Sequence, residues 1–373
     1  MSVVIKIGRK CLEKLYYTAM PSYAKEGVNP YSDLFVKFPR LEKVFLPHVM
    51  CPTEVDKSRN RTGMHHVFLF FKVLIQTIQQ YPDFFLDIPA MDMFWSEKNL
   101  ASGTQSHRLV VEHGWLPRNS YQIAQTGANG RGAPAQLEAE ESYLKIIGGA
   151  ETLKNKLKLL QDAFYAAKSH LPEFVAEKDF VVVPMQLGND LNLRDSSTNF
   201  SMHYGKKDAT ELFVLDFVNA VNGYDLPCAV FFTQHPVDRI CHVVDLRAGD
   251  RFIQTGCGIS TLDLIRHPRC VGVISVNSNV VHEAICLNIP CCVLGRLYWR
   301  EQEVSPFETD PKNFCTSPQI FPHDNPSIME YLSKLLCNQW YLTDFQNPLI
   351  LRELFLNLGS VVPYRIRERL ATI

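Results

Sequence analysis

DFVVVPMQL, residues 179–187, is a largely apolar run bounded by turn-forming residues. A strand covered on both faces reads as such an unbroken run, whereas a half-exposed strand alternates. The stretch therefore predicts a central strand of a parallel sheet. Downstream the chain keeps switching between patterns. A helix is expected around 209–222, then a strand at PCAVFF (227–232) and strands near HVVDL (242–246) and RFIQTG (251–256). The short helix STLDLIRH, the strand CVGVISV (270–276), a helix over about Ser278–Leu287 and the strand PCCVLG follow. Strands alternating with helices at this pitch predict a doubly wound α/β domain.

Upstream the character differs. From Leu137 to His170, apolar residues recur at helical spacing (Leu144, Ile147, Leu153, Leu157, Leu160, Phe164). They predict a long helix or a helical pair, broken at Gly148–Gly149 and closed by Pro172. RLVVEHGW reads as a short strand ending in a turn, and the Gly-, Asn- and Pro-rich residues 117–135 as a loop. His66 to Gln80 reads as a helix. The composition change near 172–178 sets the expected boundary: an N-terminal domain over 1–175 and a C-terminal domain over 176–373. Residues 1–100 add nothing to the functional reading.

Composition narrows the function. Of 373 residues 46% are hydrophobic and 21% charged, which excludes a disordered chain and a coiled coil. Lys plus Arg is 38 and Asp plus Glu 39, for a net charge of −1, so no basic excess calls for nucleic acid. The eleven cysteines include no CxxC pair, and several sit in apolar runs. That usage fits buried free thiols in a reducing cytoplasm, without a metal site. The N-terminus lacks the pattern of a signal peptide, and no run of about 18 apolar residues occurs. GxGxxG, GxxxxGK[ST], HExxH and GxSxG are all missing, so no bound cofactor is expected.

Four segments carry candidate chemistry. In NSNVVHEAICLNIPCCVLG (277–295), small polar residues open a helix after a strand, where free N–H groups suit an anion. Asn277, Ser278 and Asn279 add side-chain donors, and Glu283 lies one turn in, within reach of a ribose hydroxyl or base. Ser278 as a simple N-cap is the equal alternative. In FFTQHPVDR (231–239), His235 stands beyond a strand end with Pro236 fixing the backbone. In VVVPMQLGNDLNLR (181–194), Gln186 and Asp190 follow the first strand; Asp190 suits a nucleophile, a base or a helix cap. In residues 110–132, Glu112 and His113 end a strand, and Arg118, Asn129 and Arg131 lie in a loop with Trp115 and Tyr121 that suits stacking on sugar rings.

In this order, VEHGWLPR, VPMQLGND, TQHP and SVNSNVVHEAICLNIPCCVLG resemble the capsule-polysaccharide biosynthesis family, retaining β-Kdo glycosyltransferases included. These enzymes use CMP-activated 3-deoxy-D-manno-oct-2-ulosonic acid. The resemblance covers about residues 108–296. It implies a GT-B-like fold, two Rossmann-like α/β domains facing a central cleft, with the last helix able to pack back on the N-terminal domain. It also implies that His235 meets the nucleotide phosphate, Asn277 and Ser278 form its hydroxyl-bearing cradle, and Glu283 reaches ribose or cytosine. Asp190 falls at the family's carboxylate nucleophile and Glu112 at its cleft acid. The chain departs from the family at Gln234, often basic there, and at Asn279, commonly Ser or Thr.

The implied chemistry is sugar transfer with retention and without metal. A helix end, hydroxyls and an imidazole neutralise the departing phosphate. Two displacements call for a carboxylate nucleophile, Asp190. Glu112 or His113 would deprotonate the acceptor hydroxyl. Gln186, Arg118, Asn129 and Arg131 would contact donor or acceptor sugars. The implied partners are a nucleotide-sugar donor and a saccharide or lipid-linked saccharide acceptor, met in the cytoplasm with peripheral contact at most to the inner face of the inner membrane. The alternatives are a nucleotide-sugar epimerase of similar fold and a non-catalytic polysaccharide assembly protein.

Overall fold

The structure is a computed structural model. It describes residues 5–7, 70, 73–74, 76–78, 80–88, 91–95, 108–117, 120–125, 127, 141–166, 178–188, 205–206, 208–222, 224, 226–235, 251–255, 259–298, 305–318 and 321–371.

The chain begins a first sheet with β1 (Ile5–Ile7), β2 (Met91–Trp95), β3 (Arg108–His113) and β4 (Tyr121–Ala124). Their order is β1-β2-β3-β4. β1, β2 and β3 run parallel, and β4 returns antiparallel to β3. Helical residues occur between Phe70 and Gln80, where the apolar spacing predicts them.

The next segment is helical, as α1 (Tyr143–Ile146) and α2 (Gly149–Ala166). The break is at the expected glycines: Gly148 and Gly149 have φ of 96° and 89°, a region side-chain-bearing residues avoid. The second sheet comprises β5 (Phe180–Pro184), β6 (Ala229–Thr233), β7 (Phe252–Gln254), β8 (Cys270–Ser275) and β9 (Cys291–Val293). Its helices are α3 (Ala209–Val221), α4 (Thr261–Ile265), α5 (Val280–Cys286), α6 (Pro311–Thr316) and α7 (Pro326–Asn338). All pairings are parallel, in the order β7-β6-β5-β8-β9. Every residue of β5 and β6 is buried, which is why both read as unbroken apolar runs. On α3, Phe213, Val214, Phe217, Val218 and Val221 form one apolar stripe, packed with Val181, Val183, Val230 and Phe232.

The chain then adds α8 (Pro348–Leu356) and α9 (Pro363–Ala371). Both pack into the core of the first sheet: Trp340, Phe345, Leu351, Leu354 and Ile366 cluster with Phe70, Met93, Leu109, Val111 and Tyr121. Trp340 and Tyr121 exchange two backbone hydrogen bonds of 2.8 Å.

The molecule is thus mixed α/β, in two compact units that do not meet the expected boundaries. The first unit is Met1–Leu137 with Cys337–Ile373, the second Glu138–Leu336. The compact units divide the chain at other places than the expected 175. The paired helices α1 and α2 belong to the second unit, where the Gln161 side chain donates to Cys286 O (2.7 Å) and Arg266 to Phe164 O (2.6 Å). The segment after α7 belongs to the first unit, because the face of its sheet needs the apolar sides of α8 and α9. The first sheet also carries one antiparallel edge strand, β4, beside its parallel strands. The strand expected at HVVDL lies outside the described residues.

Candidate functional site

The order β7-β6-β5-β8-β9 contains a switch point. From β5 the chain builds outward through β6 and β7, then crosses to the other side of β5 to lay down β8 and β9. Neighbouring β5 and β8 therefore send their outgoing connections in opposite directions. That opens a crevice beyond their carboxyl ends, the usual place for a ligand in an open α/β sheet.

Two buried amides meet there. Gln186, two residues past β5, donates from Nε2 to Oδ1 of Asn277, two residues past β8, at 2.8 Å. They are only 7% and 5% exposed. The Gln186 backbone is held too, since Thr210 Oγ1 donates to its carbonyl at 3.1 Å and Met185 N donates to Thr233 O at 2.9 Å. Gly188 is required by space: a Cβ there would stand 2.5 Å from the Ala209 Cβ at the start of α3. The Oε1 atom of Gln186 is buried and has no hydrogen-bond partner among the described residues.

Flanking strand ends supply more polar groups. Ser278 N donates to Ser275 Oγ at 3.1 Å, and Ser278 Oγ accepts from Val280 N at 3.4 Å. Ser278 therefore holds the turn into α5. Asn279 is the residue before that helix and makes no side-chain cap bond. Beyond β6 come Gln234, 8% exposed, and the half-buried His235. Thr233 Oγ1 accepts from Thr261 Oγ1 at 2.8 Å. All seven residues of α5 are buried, Glu283 included at 4% exposure. His282 Nε2 lies 2.9 Å from Tyr331 Oη, with the two rings stacked, so this histidine belongs to the packing of α5 on α7.

Of the residues singled out in the sequence, Gln186 and Asn277 touch, Ser278 and Asn279 follow on the same turn, and His235 stands at the end of the strand on the other side of β5. Glu283 lies in the helix that this turn opens. Glu112 and His113 end β3 in the first unit. There His113 N donates to Glu112 Oε1 at 3.0 Å and Gln122 Nε2 donates to His113 O at 2.7 Å. Asp190, Pro236, Arg118, Asn129 and Arg131 lie outside the described residues. The hydroxyls of Thr210 and Thr233 and the spatial need for Gly188 had no sequence signal. Each depends on which strand ends are neighbours.

The electrostatics limit the chemistry. Among the described residues no group of His, Cys, Asp or Glu is arranged to hold a metal ion. The thiols are poor nucleophiles at neutral pH: burial pushes Cys228 up to about 11 and Cys270, Cys286 and Cys315 up to about 12. No described helix is long and apolar enough to cross a membrane. The switch point offers amides, hydroxyls and an imidazole, the donor and acceptor set of a polar neutral or anionic ligand.

No family model matches the chain, and no curated protein matches it by sequence. Among solved structures, the chain is similar to the Thermosulfurimonas dismutans KpsC beta Kdo 2,7 transferase, with TM-score 0.40 and 16% identity over 69% of this chain and 80% of that one. It is similar to the KpsC beta Kdo 2,4 transferase of the same organism, with TM-score 0.40 and 13% identity over 70% of this chain and 87% of that one. A UDP-N-acetylglucosamine 2-epimerase from Rickettsia bellii gives TM-score 0.29 and 11% identity over 98% of this chain and 99% of that one.

Proposed function

We propose that the second unit binds a nucleotide sugar at the β5–β8 switch point and that the protein is a glycosyltransferase of GT-B-like fold. The observation that carries the reading is the Gln186–Asn277 pair. Two buried amides with a partnerless acceptor mark a place built for a ligand, where a purely structural crevice would be filled by apolar side chains.

The finer reading is transfer of Kdo from CMP-Kdo with retention to a saccharide or lipid-linked saccharide acceptor, at the cytoplasmic face of a membrane. The strand-end donors fit a departing nucleoside monophosphate: His235 beyond β6 and the Asn277–Ser278 turn beyond β8 lie on either side of Gln186. These groups neutralise a phosphate by hydrogen bonding, so the reading needs no metal. Asp190 is the proposed nucleophile, and Glu112 or His113 the acceptor base. These last roles rest on the sequence resemblance alone.

A thermal-shift comparison of CMP, UDP and GDP tests the reading, because a ligand that binds only the folded state raises its stability in proportion to occupancy. CMP should stabilise most. His235→Ala and Ser278→Ala should each weaken CMP binding by about 1.5–3 kcal/mol, the usual cost of a lost charge-assisted hydrogen bond. A preference for UDP would favour the epimerase-like alternative. Unchanged CMP affinity in both variants would move the nucleotide elsewhere.

A further inference from the structure

The polarity of the crevice follows from which end of the Gln186 amide is already occupied. Its Nε2 donates to Asn277 Oδ1 at 2.8 Å, so the amide is held in one orientation. Its backbone carbonyl accepts from Thr210 Oγ1, and Gly188 lets the loop close against α3. What remains is Oε1, an acceptor without a partner on a side chain 7% exposed. A buried acceptor without a donor costs about 1–3 kcal/mol. Deleting the amide would remove that cost, and an apolar residue would fit a buried strand end.

We infer that Gln186 is a specificity-determining residue whose Oε1 accepts a hydrogen bond from a neutral donor of the ligand, a sugar hydroxyl or an exocyclic amine. Phosphate and carboxylate groups, which only accept, are turned away from this point and left to the His235 and Ser278 side. The inference rests on the nucleotide-sugar reading for the location of the site and adds the chemical class of the group that Gln186 reads. It predicts that the crevice sorts its ligand: anionic part toward β6 and the α5 turn, hydroxylated or amino part between β5 and β8.

Two variants of the full chain separate the possibilities. Gln186→Met keeps the size and removes both polar atoms. Gln186→Glu, when protonated, reproduces both roles: its hydroxyl donates to Asn277 Oδ1 and its carbonyl oxygen stays an acceptor. Titration calorimetry with CMP, CMP-N-acetylneuraminate and free Kdo is run at pH 5.5 and 8, beside melting curves without ligand. For the best-bound probe that carries the donor, Gln186→Met should weaken binding about tenfold at both pH values. Gln186→Glu should stay within about threefold of wild type at pH 5.5 and fall behind it at pH 8. The unliganded Gln186→Met protein should melt within about 3 °C of wild type, because losing the bond to Asn277 is offset by losing the unsatisfied acceptor.

Three results overturn the inference. Equal affinity for every probe in wild type and both variants means that Gln186 touches no ligand. Loss of binding in Gln186→Glu at both pH values, with Gln186→Met unaffected, means that an anionic group faces this point. A fall of more than about 6 °C in the unliganded Gln186→Met protein means that the amide is structural. If wild type binds none of the probes, the nucleotide-sugar reading fails, and the melting comparison decides the role of Gln186 by itself.

Discussion

Near the carboxyl end of β3 in the first unit, one buried amide is satisfied at both of its ends. Gln339 is fully buried; its Oε1 accepts from Leu116 N at 3.1 Å and from Ser120 Oγ at 3.0 Å, and its Nε2 donates to Leu116 O and to Tyr341 Oη. One side chain from the end of the chain thus satisfies both backbone groups of Leu116. At the carboxyl end of β5 in the second unit, Gln186 is nearly as buried, yet half of its amide has no partner. The same residue type, in comparable burial beside a strand end, closes one network and leaves the other incomplete. A closed network rigidifies a turn, whereas an incomplete one leaves a buried group that a ligand can complete, the role proposed for Gln186.

The comparison can be broken most forcefully at its hydrophobic base. Trp340 is 1% exposed and stacks on Phe345 in the first core. Trp340→Ala should cost about 3–5 kcal/mol in denaturant unfolding. If CMP binding by the second unit survives that change under native conditions, the two units keep separate accounts of stability. Next in size is Gln339→Ala, which strands the Leu116 backbone groups and should cost about 2–3 kcal/mol. Near-zero cost there, equal to that of Gln186→Met, would erase the contrast between the two amides.

A smaller loss is expected within the second unit. The Glu330 carboxylate accepts from Ser142 Oγ at 2.6 Å, Tyr143 N at 2.6 Å and Leu144 N at 3.0 Å, so it caps α1 from a neighbouring helix. Glu330→Ala should cost about 1–2 kcal/mol, and Glu330→Gln less, since an amide oxygen still accepts. Amide hydrogen exchange at Tyr143 and Leu144 should speed up in the alanine variant. Unchanged exchange would show that α1 needs no external cap.

The smallest effects are pH slopes of opposite sign. Burial holds His323 below its ordinary 6.5, against its hydrogen bond to Ile285 O. The unfolded chain therefore binds the proton more readily, and the second unit should lose stability as pH falls below about 6.5. In the first unit, burial holds the Asp344 carboxyl above its ordinary value, against the pull of Arg367 at 2.7 Å. There the folded chain binds the proton more readily, so its contribution falls as pH rises through the acidic carboxyl range. His323→Gln should flatten the first slope and Asp344→Asn the second, read from unfolding free energy against pH. A slope that survives its own substitution belongs to another group.

Much of the second unit was legible because its strands are covered on both faces. In DFVVVPMQL and PCAVFF every strand residue is buried, and CVGVISV is buried from Gly272 onward, while the Gly148–Gly149 break needs no tertiary information. Gln186, Asn277, Ser278 and His235 were legible as polar residues just beyond such strands. The unit boundary was not, because Trp340 pairs with Tyr121 across most of the chain, and local pattern holds no trace of a partner that distant. Nor was the contact of Gln186 with Asn277, since it exists only because β8 lies beside β5. Composition change marked a shift in strand type near 175, whereas the compact units divide where helices choose which sheet to cover.

The return of the chain to its first sheet also sets an order of assembly. A ribosome delivers the strands of the first unit before the second unit, but Trp340, Phe345, Leu351, Leu354 and Ile366 only after it, and they fill the same cluster as Met93, Leu109 and Val111. The second unit, Glu138–Leu336, is continuous and is fully synthesised before they emerge. Domains commonly fold in the order of their synthesis, N-terminal first. Here the later unit can finish while the earlier one waits, its apolar sheet face uncovered until α8 and α9 emerge. Chaperones that guard nascent chains should therefore hold this protein at the strands of the first unit, and stalled translation just short of α8 should release a competent second unit beside an unfinished first one.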